Sequence, residues 1–319
     1  MDKKLVLITD DCHPLLIEGL ERLGFECHYN PNCTAEQVDK IVYAYYGLIV
    51  NSKIRADRVF LNEAKKLRFI GRLGSGMEII DREFAAQKGI AVLSSPEGNR
   101  NAVAEQALGM LLALANNLLR ADRETRENLW RREANRGFEL SGRTIGIIGF
   151  GHTGSLFARK LAGMEMTVLA YDKYKTDYAP DMPWVQETDL DAIQKHADII
   201  SLHLPLTKET RHLVDETFLE RCKPGLILIN TSRGACVKTK ELVKALENKT
   251  VGGACLDVFE NEKPATYSLE EAGLYRRLYA LENVVVSPHI AGWTHESKRK
   301  LAEVLLEKII AVLYPQKFP

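Results

Sequence analysis

The chain has 319 residues, 45% of them hydrophobic and 27% charged, which is too long for one ordinary core and too apolar for extended disorder. Lys plus Arg and Asp plus Glu both number 43, and this balance removes nucleic acid as a bulk electrostatic partner. The six cysteines (Cys12, Cys27, Cys33, Cys222, Cys236, Cys255) contain no C-x-x-C pair, which excludes a disulfide frame or a zinc site and leaves no metal expected.

From the N-terminus, short apolar runs alternate with amphipathic stretches. Leu5–Thr9, Glu26–Tyr29, Gly47–Val50, Arg68–Arg72 and Ala91–Ser94 read as strands. Helical patterns at Pro14–Leu23, Ala56–Lys66 and Arg82–Lys88 lie between them. Strand–helix–strand at this spacing predicts a parallel sheet with helices on both faces, hence an α/β fold. The first apolar run is too short for a signal peptide, and no stretch of about 18 apolar residues spans a membrane, so a cytoplasmic protein is expected.

A long helix is predicted from Ala102 to about Asn128, with apolar residues too dense for a single face. A second series of strands follows at Thr144–Gly149, Thr167–Ala170, Ile199–His203, Leu226–Asn230, Gly253–Leu256 and Val284–Ser287. Helical patterns at His152–Gly163, Leu190–His196, Asp215–Cys222 and Thr239–Glu247 separate most of them, and a last helix is expected from about His295 to Leu313. Between them, Ser268 to Arg277 suggests an added helix in a segment otherwise too rich in Tyr, Leu and Arg for a connection. Two doubly wound parallel sheets are therefore predicted.

The second series opens on the most informative local signal. Gly149, Gly151 and Gly154 form G-x-G-x-x-G directly after an apolar strand and before a helical pattern, with His152 and Thr153 inside it. The first glycine permits a tight turn, the second lets backbone approach a pyrophosphate, and the third allows close helix–strand packing. Asp172 ends the next strand, 18 positions beyond Gly154, where a carboxylate accepts hydrogen bonds from ribose hydroxyls and repels a 2′-phosphate. NAD is thus expected rather than NADP, although Lys173 and Lys175 oppose that repulsion.

Three later strands end in chemically active residues. One leads into Thr231-Ser232-Arg233-Gly234, one into Asp257-Val258-Phe259-Glu260-Asn261-Glu262, and one into Ser287-Pro288-His289. Ligands of doubly wound sheets bind beyond the carboxyl ends of strands, so a guanidinium, a carboxylate and an imidazole arriving there make a plausible acid–base site. Taken singly, each is more often a surface residue.

Together these motifs, with Tyr171-Asp172 and Ser287-Pro288-His289-Ile290-Ala291-Gly292, resemble the D-2-isomer-specific 2-hydroxyacid dehydrogenase family, which includes the D-3-phosphoglycerate dehydrogenases. The lead-in Glu139-Leu140-Ser141-Gly142-Arg143-Thr144 matches as well, and the resemblance spans nearly the whole chain. It implies a Rossmann NAD-binding domain over residues 101–289, inserted into a flavodoxin-like substrate domain made of 1–100 and 290–319. It also implies that Arg233 binds a substrate carboxylate, His289 exchanges the hydroxyl proton and Glu262 pairs with His289, while hydride moves between substrate C2 and the nicotinamide.

By the same resemblance, Thr231, Ser232 and Asp257 line the nicotinamide end of the cofactor site. His203 and Pro205 pack near the cofactor, His203 in a structural rather than a catalytic role. Where the family commonly has proline directly after the catalytic glutamate, this chain has Lys263, which leaves Glu260 as an alternative partner for His289.

Ser75 and Gly76, in Gly71-Arg72-Leu73-Gly74-Ser75-Gly76, resemble a substrate-carboxylate loop. Arg72 matches a residue near the phosphate in phosphoglycerate-specific members, but the second arginine of those members is Asn51 here. Lys53, Arg55, or Arg131 and Arg132 of a partner subunit are candidate substitutes. D-3-phosphoglycerate is the first substrate expectation; glyoxylate, hydroxypyruvate or another 2-keto acid is the alternative. The chain stops at Pro319, so the regulatory domain of longer phosphoglycerate dehydrogenases is not expected. A homodimer through Ala102–Leu119 and the segment to Leu140 is implied, with hinges near 99–101 and 289–291. A competing class is a dinucleotide-sensing corepressor of the same fold. A formate-type enzyme is disfavoured because that group pairs its histidine with glutamine.

Overall fold

The structure is a computed structural model and describes residues 4–314. In chain order the first elements are β1 (Lys4–Ile8), α1 (Pro14–Arg22), β2 (Phe25–Tyr29), α2 (Ala35–Ile41), β3 (Gly47–Val50), α3 (Arg58–Glu63), β4 (Phe69–Arg72), α4 (Arg82–Gln87) and β5 (Ala91–Ser94). Helices α5 (Pro96–Ala115) and α6 (Leu118–Arg126) follow. Then come β6 (Thr144–Ile148), α7 (His152–Lys160), β7 (Thr167–Tyr171), β8 (Val185–Glu187), α8 (Leu190–His196) and β9 (Ile199–Leu202). The last are α9 (Glu216–Glu220), β10 (Leu226–Asn230), α10 (Thr239–Glu247), β11 (Val251–Leu256), α11 (Leu269–Ala280), β12 (Val284–Val286) and α12 (His295–Leu313).

The chain forms two compact units, residues 1–100 with 293–319, and residues 101–292. In the first, five strands make a sheet of order β2-β1-β3-β4-β5, with every pairing parallel. This is the flavodoxin-like doubly wound order. Strand β3 is buried along its whole length, as expected where helices cover both faces of a parallel sheet. Helix α12 returns to this unit and seals one face: Ala302, Leu305 and Ile309 share a core with Val6, Ile8, Leu16 and Phe69. The predicted helix at Ala56–Lys66 is shorter because Ala56 bridges to Ile80 and Asp57 caps α3, accepting from the N–H groups of Val59 (3.0 Å) and Phe60 (3.1 Å).

The second unit holds a seven-stranded sheet of order β12-β11-β10-β9-β6-β7-β8, again parallel throughout. From β8 inward this is the Rossmann order, continued by one further strand. Its edge strand β8 was not expected from sequence, because Val185-Gln186-Glu187 is short and polar and, among the described residues, pairs only with β7. The single helix expected over Ala102–Asn128 is instead α5 and α6, bent by 62°. Asn117 sits at φ 52°, a conformation asparagine tolerates better than most residues. Its side chain donates to Arg136 O (3.2 Å), and Phe138 N donates to Ala115 O (2.9 Å), so the crossing segment takes up the freed backbone groups. Among the described residues, no single helix is long and apolar enough to cross a membrane.

Leu305 has no exposed surface and fills the space between α12 and β4. Leu305→Ala is expected to destabilise the first unit by about 2–5 kcal/mol, read as a lower urea midpoint; an unchanged midpoint would show that α12 is not part of this core.

Candidate active site

Strand register decides which loops meet. Asn230 of β10 pairs opposite Leu256 of β11, and Leu256 opposite Val286 of β12. Three neighbouring parallel strands therefore end level, and Arg233, Glu262 and His289 follow those ends within three, six and three residues. Gly234 allows the first loop to close on the second: a Cβ there would lie 1.9 Å from the Phe259 carbonyl carbon.

His289 Nδ1 and Glu262 Oε2 are 2.8 Å apart. The alternative partner, Glu260, is engaged elsewhere: one oxygen lies 2.7 Å from His212 Nε2, and the other accepts from Thr239 N–H at the start of α10 (2.7 Å). The bond to Glu262 raises the His289 pKa against the opposing effect of burial, and the Arg233 charge lowers it slightly. Burial works to raise the Glu262 pKa, but the His289 bond and charge, Phe259 N–H and Arg233 together hold it below the ordinary carboxylate value. Arg233 is therefore close enough for its charge to act on both partners. Its Nη1 donates to Ser232 O (2.7 Å), while the buried Asn230 shapes the loop by donating to Arg233 O (3.0 Å) and accepting from Ser232 N–H and O–H.

The His289 contribution to stability is full below the ordinary imidazole pKa and is lost as pH rises through the raised one. The Glu262 contribution is present above the ordinary carboxylate pKa and is lost as pH falls through the lowered one.

His289 occupies the left-handed region at φ 57°, which is costly for a residue with a Cβ. Asp257 holds it there. Its carbonyl accepts from His289 N (2.8 Å), Oδ1 accepts from Ile290 N (2.9 Å) and Ser287 Oγ (2.6 Å), and Oδ2 accepts from Ala291 N (2.9 Å). Asp257 is fully buried and is placed as the anchor of the histidine turn.

The dinucleotide turn lies at the ends of β6, β7 and β9. Gly149 adopts φ +93°, and a Cβ there would lie 2.4 Å from His203 O; a Cβ on Gly154 would lie 2.0 Å from Gly149 O. Only glycine fits either place. At Gly151 a Cβ would meet nothing within 4 Å, which leaves open space in front of the α7 N-terminus, where the N-cap residue Gly151 supplies no side-chain cap. His152 is exposed and Thr153 half-buried beside it. Asp172 accepts from Phe150 N (2.9 Å) and Tyr174 N (3.0 Å), which fixes its carboxylate at the end of β7. Lys173 is paired with Glu209 (2.8 Å) and Lys175 donates to Phe150 O (2.8 Å), so the two flanking cations are already engaged.

The His203 ring lies tilted against Phe157 (centroids 5.2 Å apart), its Nε2 is 2.9 Å from Ser201 Oγ, and burial pushes its pKa down to about 4, a neutral ring; Pro205 is exposed. Among the described residues, the buried Thr231 hydroxyl oxygen has no hydrogen-bond partner in the chain. The glycine cradle, the open helix N-terminus, the fixed acid and this orphaned hydroxyl fit a bound dinucleotide. No group of His, Cys, Asp and Glu among the described residues is arranged to hold a metal.

The remaining candidates belong to the first unit. Arg72 Nη1 and Asn51 Oδ1 both approach Gly74, lying 2.4 and 3.8 Å from where its Cβ would stand. Ser75 is exposed, with Oγ 3.4 Å from Asn99 Oδ1, and Gly76 is buried. Lys53 spends its ammonium on the carbonyls of Thr9 (2.7 Å) and Pro31 (2.5 Å), while Arg55 is exposed.

Sequence reasoning assigned no role to Ser287 or Asn261. The serine hydroxyl links Asp257 to Gln106 of α5 (3.3 Å). Asn261 Oδ1 accepts from Lys263 N (3.0 Å), the backbone N–H that a proline would lack. Asparagine two residues before a turn was the available signal.

A Rossmann sheet with this turn, and Arg233, Glu262 and His289 at the ends of neighbouring strands, define a dinucleotide-binding α/β protein. Residues 108–291 match the model of the D-isomer specific 2-hydroxyacid dehydrogenase NAD-binding domain. A hydroxypyruvate reductase of Thermotoga maritima is 37% identical over 278 residues, 87% of this chain and 88% of that protein. A D-3-phosphoglycerate dehydrogenase of Archaeoglobus fulgidus is 33% identical over 305 residues, 96% of this chain; the match spans 56% of that protein's length. Among solved structures, D-lactate dehydrogenase of Aquifex aeolicus, complexed with NAD and lactic acid, matches with a TM-score of 0.83 at 27% identity, covering 98% of this chain and 96% of that one. The chain belongs to the D-isomer specific 2-hydroxyacid dehydrogenase family.

Asp257→Ala removes the carboxylate acceptor of three donors, the Ile290 and Ala291 N–H groups and the Ser287 hydroxyl. It is expected to cost about 2–5 kcal/mol, read as a lower thermal midpoint; a midpoint equal to that of the unaltered protein would contradict the anchoring role.

Proposed function

We propose that the chain is an NAD-dependent oxidoreductase that interconverts a D-2-hydroxy acid and its 2-keto acid. The observation that carries this reading is the 2.8 Å His289–Glu262 pair, level with Arg233 at the ends of adjacent strands in the sheet that holds the dinucleotide turn. NAD supplies hydride acceptance and donation at its nicotinamide ring. Arg233 binds the substrate carboxylate and polarises the C2 oxygen with its fork of donors. His289 takes the C2 hydroxyl proton during oxidation and returns it during reduction. Glu262 orients the imidazole and stabilises its charged form. Residues 1–100 with the C-terminal helix serve as the substrate domain and 101–292 as the cofactor domain. Asp172, with both flanking lysines engaged, supports NAD over NADP.

For the far end of the substrate, two readings each rest on one observation. Arg72, gathered with Asn51 over Gly74, favours the phosphate of D-3-phosphoglycerate, the substrate class of the Archaeoglobus relative. The commitment of Lys53 to two backbone carbonyls favours an unphosphorylated acid such as hydroxypyruvate or glyoxylate. We further infer a homodimer: Leu118 and Leu119 of α6 are 53% and 58% exposed, and Trp130, 79% exposed, lines a hollow with Ala121, Thr125 and Leu129. The free thiols support a reducing compartment such as the cytoplasm.

Turnover of 3-phosphohydroxypyruvate, hydroxypyruvate and glyoxylate with NADH and with NADPH tests both levels. NADH-dependent reduction of at least one acid is expected, and the preferred acid decides between the two readings. NADH binding without turnover of any acid would replace the enzyme by a dinucleotide-sensing protein.

His289→Asn is expected to lower kcat by about 10²–10⁴ with cofactor affinity kept. Because the His289 pKa is raised, reduction keeps its proton donor to higher pH than free imidazole would. In Glu262→Gln the alkaline fall of the reduction rate is expected at lower pH; an unmoved fall would remove Glu262 from the acid–base pair.

A further inference from the structure

The segment between Glu262 and β12 builds helix α11, and its tyrosines converge on the residue beside the glutamate. Tyr267 and Tyr275 stack with centroids 4.6 Å apart and planes 18° apart, and Tyr275 and Tyr279 at 5.8 Å and 24°. Phe259 meets Tyr275 and Tyr279 edge-on at 6.0 and 5.8 Å. Tyr275 is 3% exposed, so its phenol is fixed in the core rather than moving at the surface.

Both backbone polar groups of Asn261 end on this stack. Its N–H donates to Tyr275 Oη (3.0 Å), and its carbonyl accepts from Tyr267 Oη (3.3 Å). Its side chain is held as firmly. Asn261 Nδ2 donates to Glu271 Oε1 (3.2 Å), whose other oxygen accepts from Ser268 N–H (2.8 Å) in the capping box of α11. Asn261 Oδ1 accepts from Lys263 N–H (3.0 Å), and Thr266 Oγ1 donates to Lys263 O (2.8 Å). Glu262 therefore sits between two residues whose backbones are pinned, and its own Oε1 accepts from Phe259 N–H (3.3 Å). A glutamate side chain has three freely turning bonds, so the 2.8 Å bond to His289 is held only if its backbone is.

We propose that Tyr275 and Tyr267 are positioning residues of the reaction, pinning Asn261 so that the adjacent Glu262 carboxylate stays on His289. The proposal rests on the acid–base reading above. Removing the two hydroxyls leaves the aromatic stack in place and loosens the turn, which then rests on the Asn261 side chain. Glu262 then samples positions off the imidazole, and His289 is left facing Arg233 and Asp257 without its pairing carboxylate.

The test is Tyr267→Phe/Tyr275→Phe in the full chain, alone and combined with Glu262→Gln, with Tyr267→Phe alone as the milder variant should the double change not fold. With Glu262 in place, kcat/KM for 2-keto acid reduction is expected to fall about 10- to 100-fold, with the KM for NADH unchanged. The alkaline fall of the rate should move to lower pH, as in Glu262→Gln. In the Glu262→Gln background the same changes should cost less than about threefold. Equal losses in both backgrounds, or an unmoved pH profile, overturn the proposal. A wild-type protein that turns over no acid counts against the functional reading alone. The proposal is then decided by NMR titration of His289, whose midpoint falls in the tyrosine variants if Glu262 is loosened and is unchanged if the proposal is wrong.

Discussion

A carboxylate and an imidazole held 2.8 Å apart, with the imidazole on a backbone in the left-handed region, is the constraint around which the second unit is arranged. Neither condition is met by local sequence. A histidine with positive φ relaxes unless neighbouring groups over-determine it, and a half-exposed ion pair contributes little by itself. Asp257 supplies the first kind of support: one buried residue takes the N–H groups of His289, Ile290 and Ala291 and the Ser287 hydroxyl. The turn around Asn261 supplies the second. The geometry of the pair is thus a property of two pinned loops more than of the pair itself.

Those loops meet because of sheet register. Parallel strands β10, β11 and β12 end level, so residues remote in sequence emerge on one edge of the sheet. Gly234 lets the arginine loop lie against Phe259, and the aromatic ring of Phe259 leans on the α11 stack. The cofactor turn uses the same edge, where Gly149 and Gly154 remove the side chains that would block the approach of β6 to His203 and α7. The dinucleotide turn and the His289–Glu262 pair therefore share one row of strand ends, where ligands of doubly wound sheets bind.

Much of this was legible in the sequence where the signal is local. The strand–turn–helix with Gly149, Gly151 and Gly154, the acid at Asp172, and the ends of β10, β11 and β12 all announce themselves by residue type and spacing. What failed was non-local or marginal. The polar edge strand β8 has no hydrophobic pattern, and the α5–α6 break depends on residues 136–138 crossing Asn117. Sequence favoured Glu262 over Glu260 only through its five-residue spacing from Asp257, a matter of family resemblance; in the fold the α10 N-terminus and His212 claim Glu260. The anchoring role of Asp257 was hidden too, since its partners lie more than thirty positions on in the chain.

The account depends on His289 carrying its proton under the influence of Glu262. NMR titration of isotope-labelled histidine in the full chain measures this directly. The midpoint for His289 is predicted to lie above that of an ordinary imidazole, roughly 6.5, and to drop in Glu262→Gln. A midpoint at or below the ordinary value, and the same in both proteins, would contradict it.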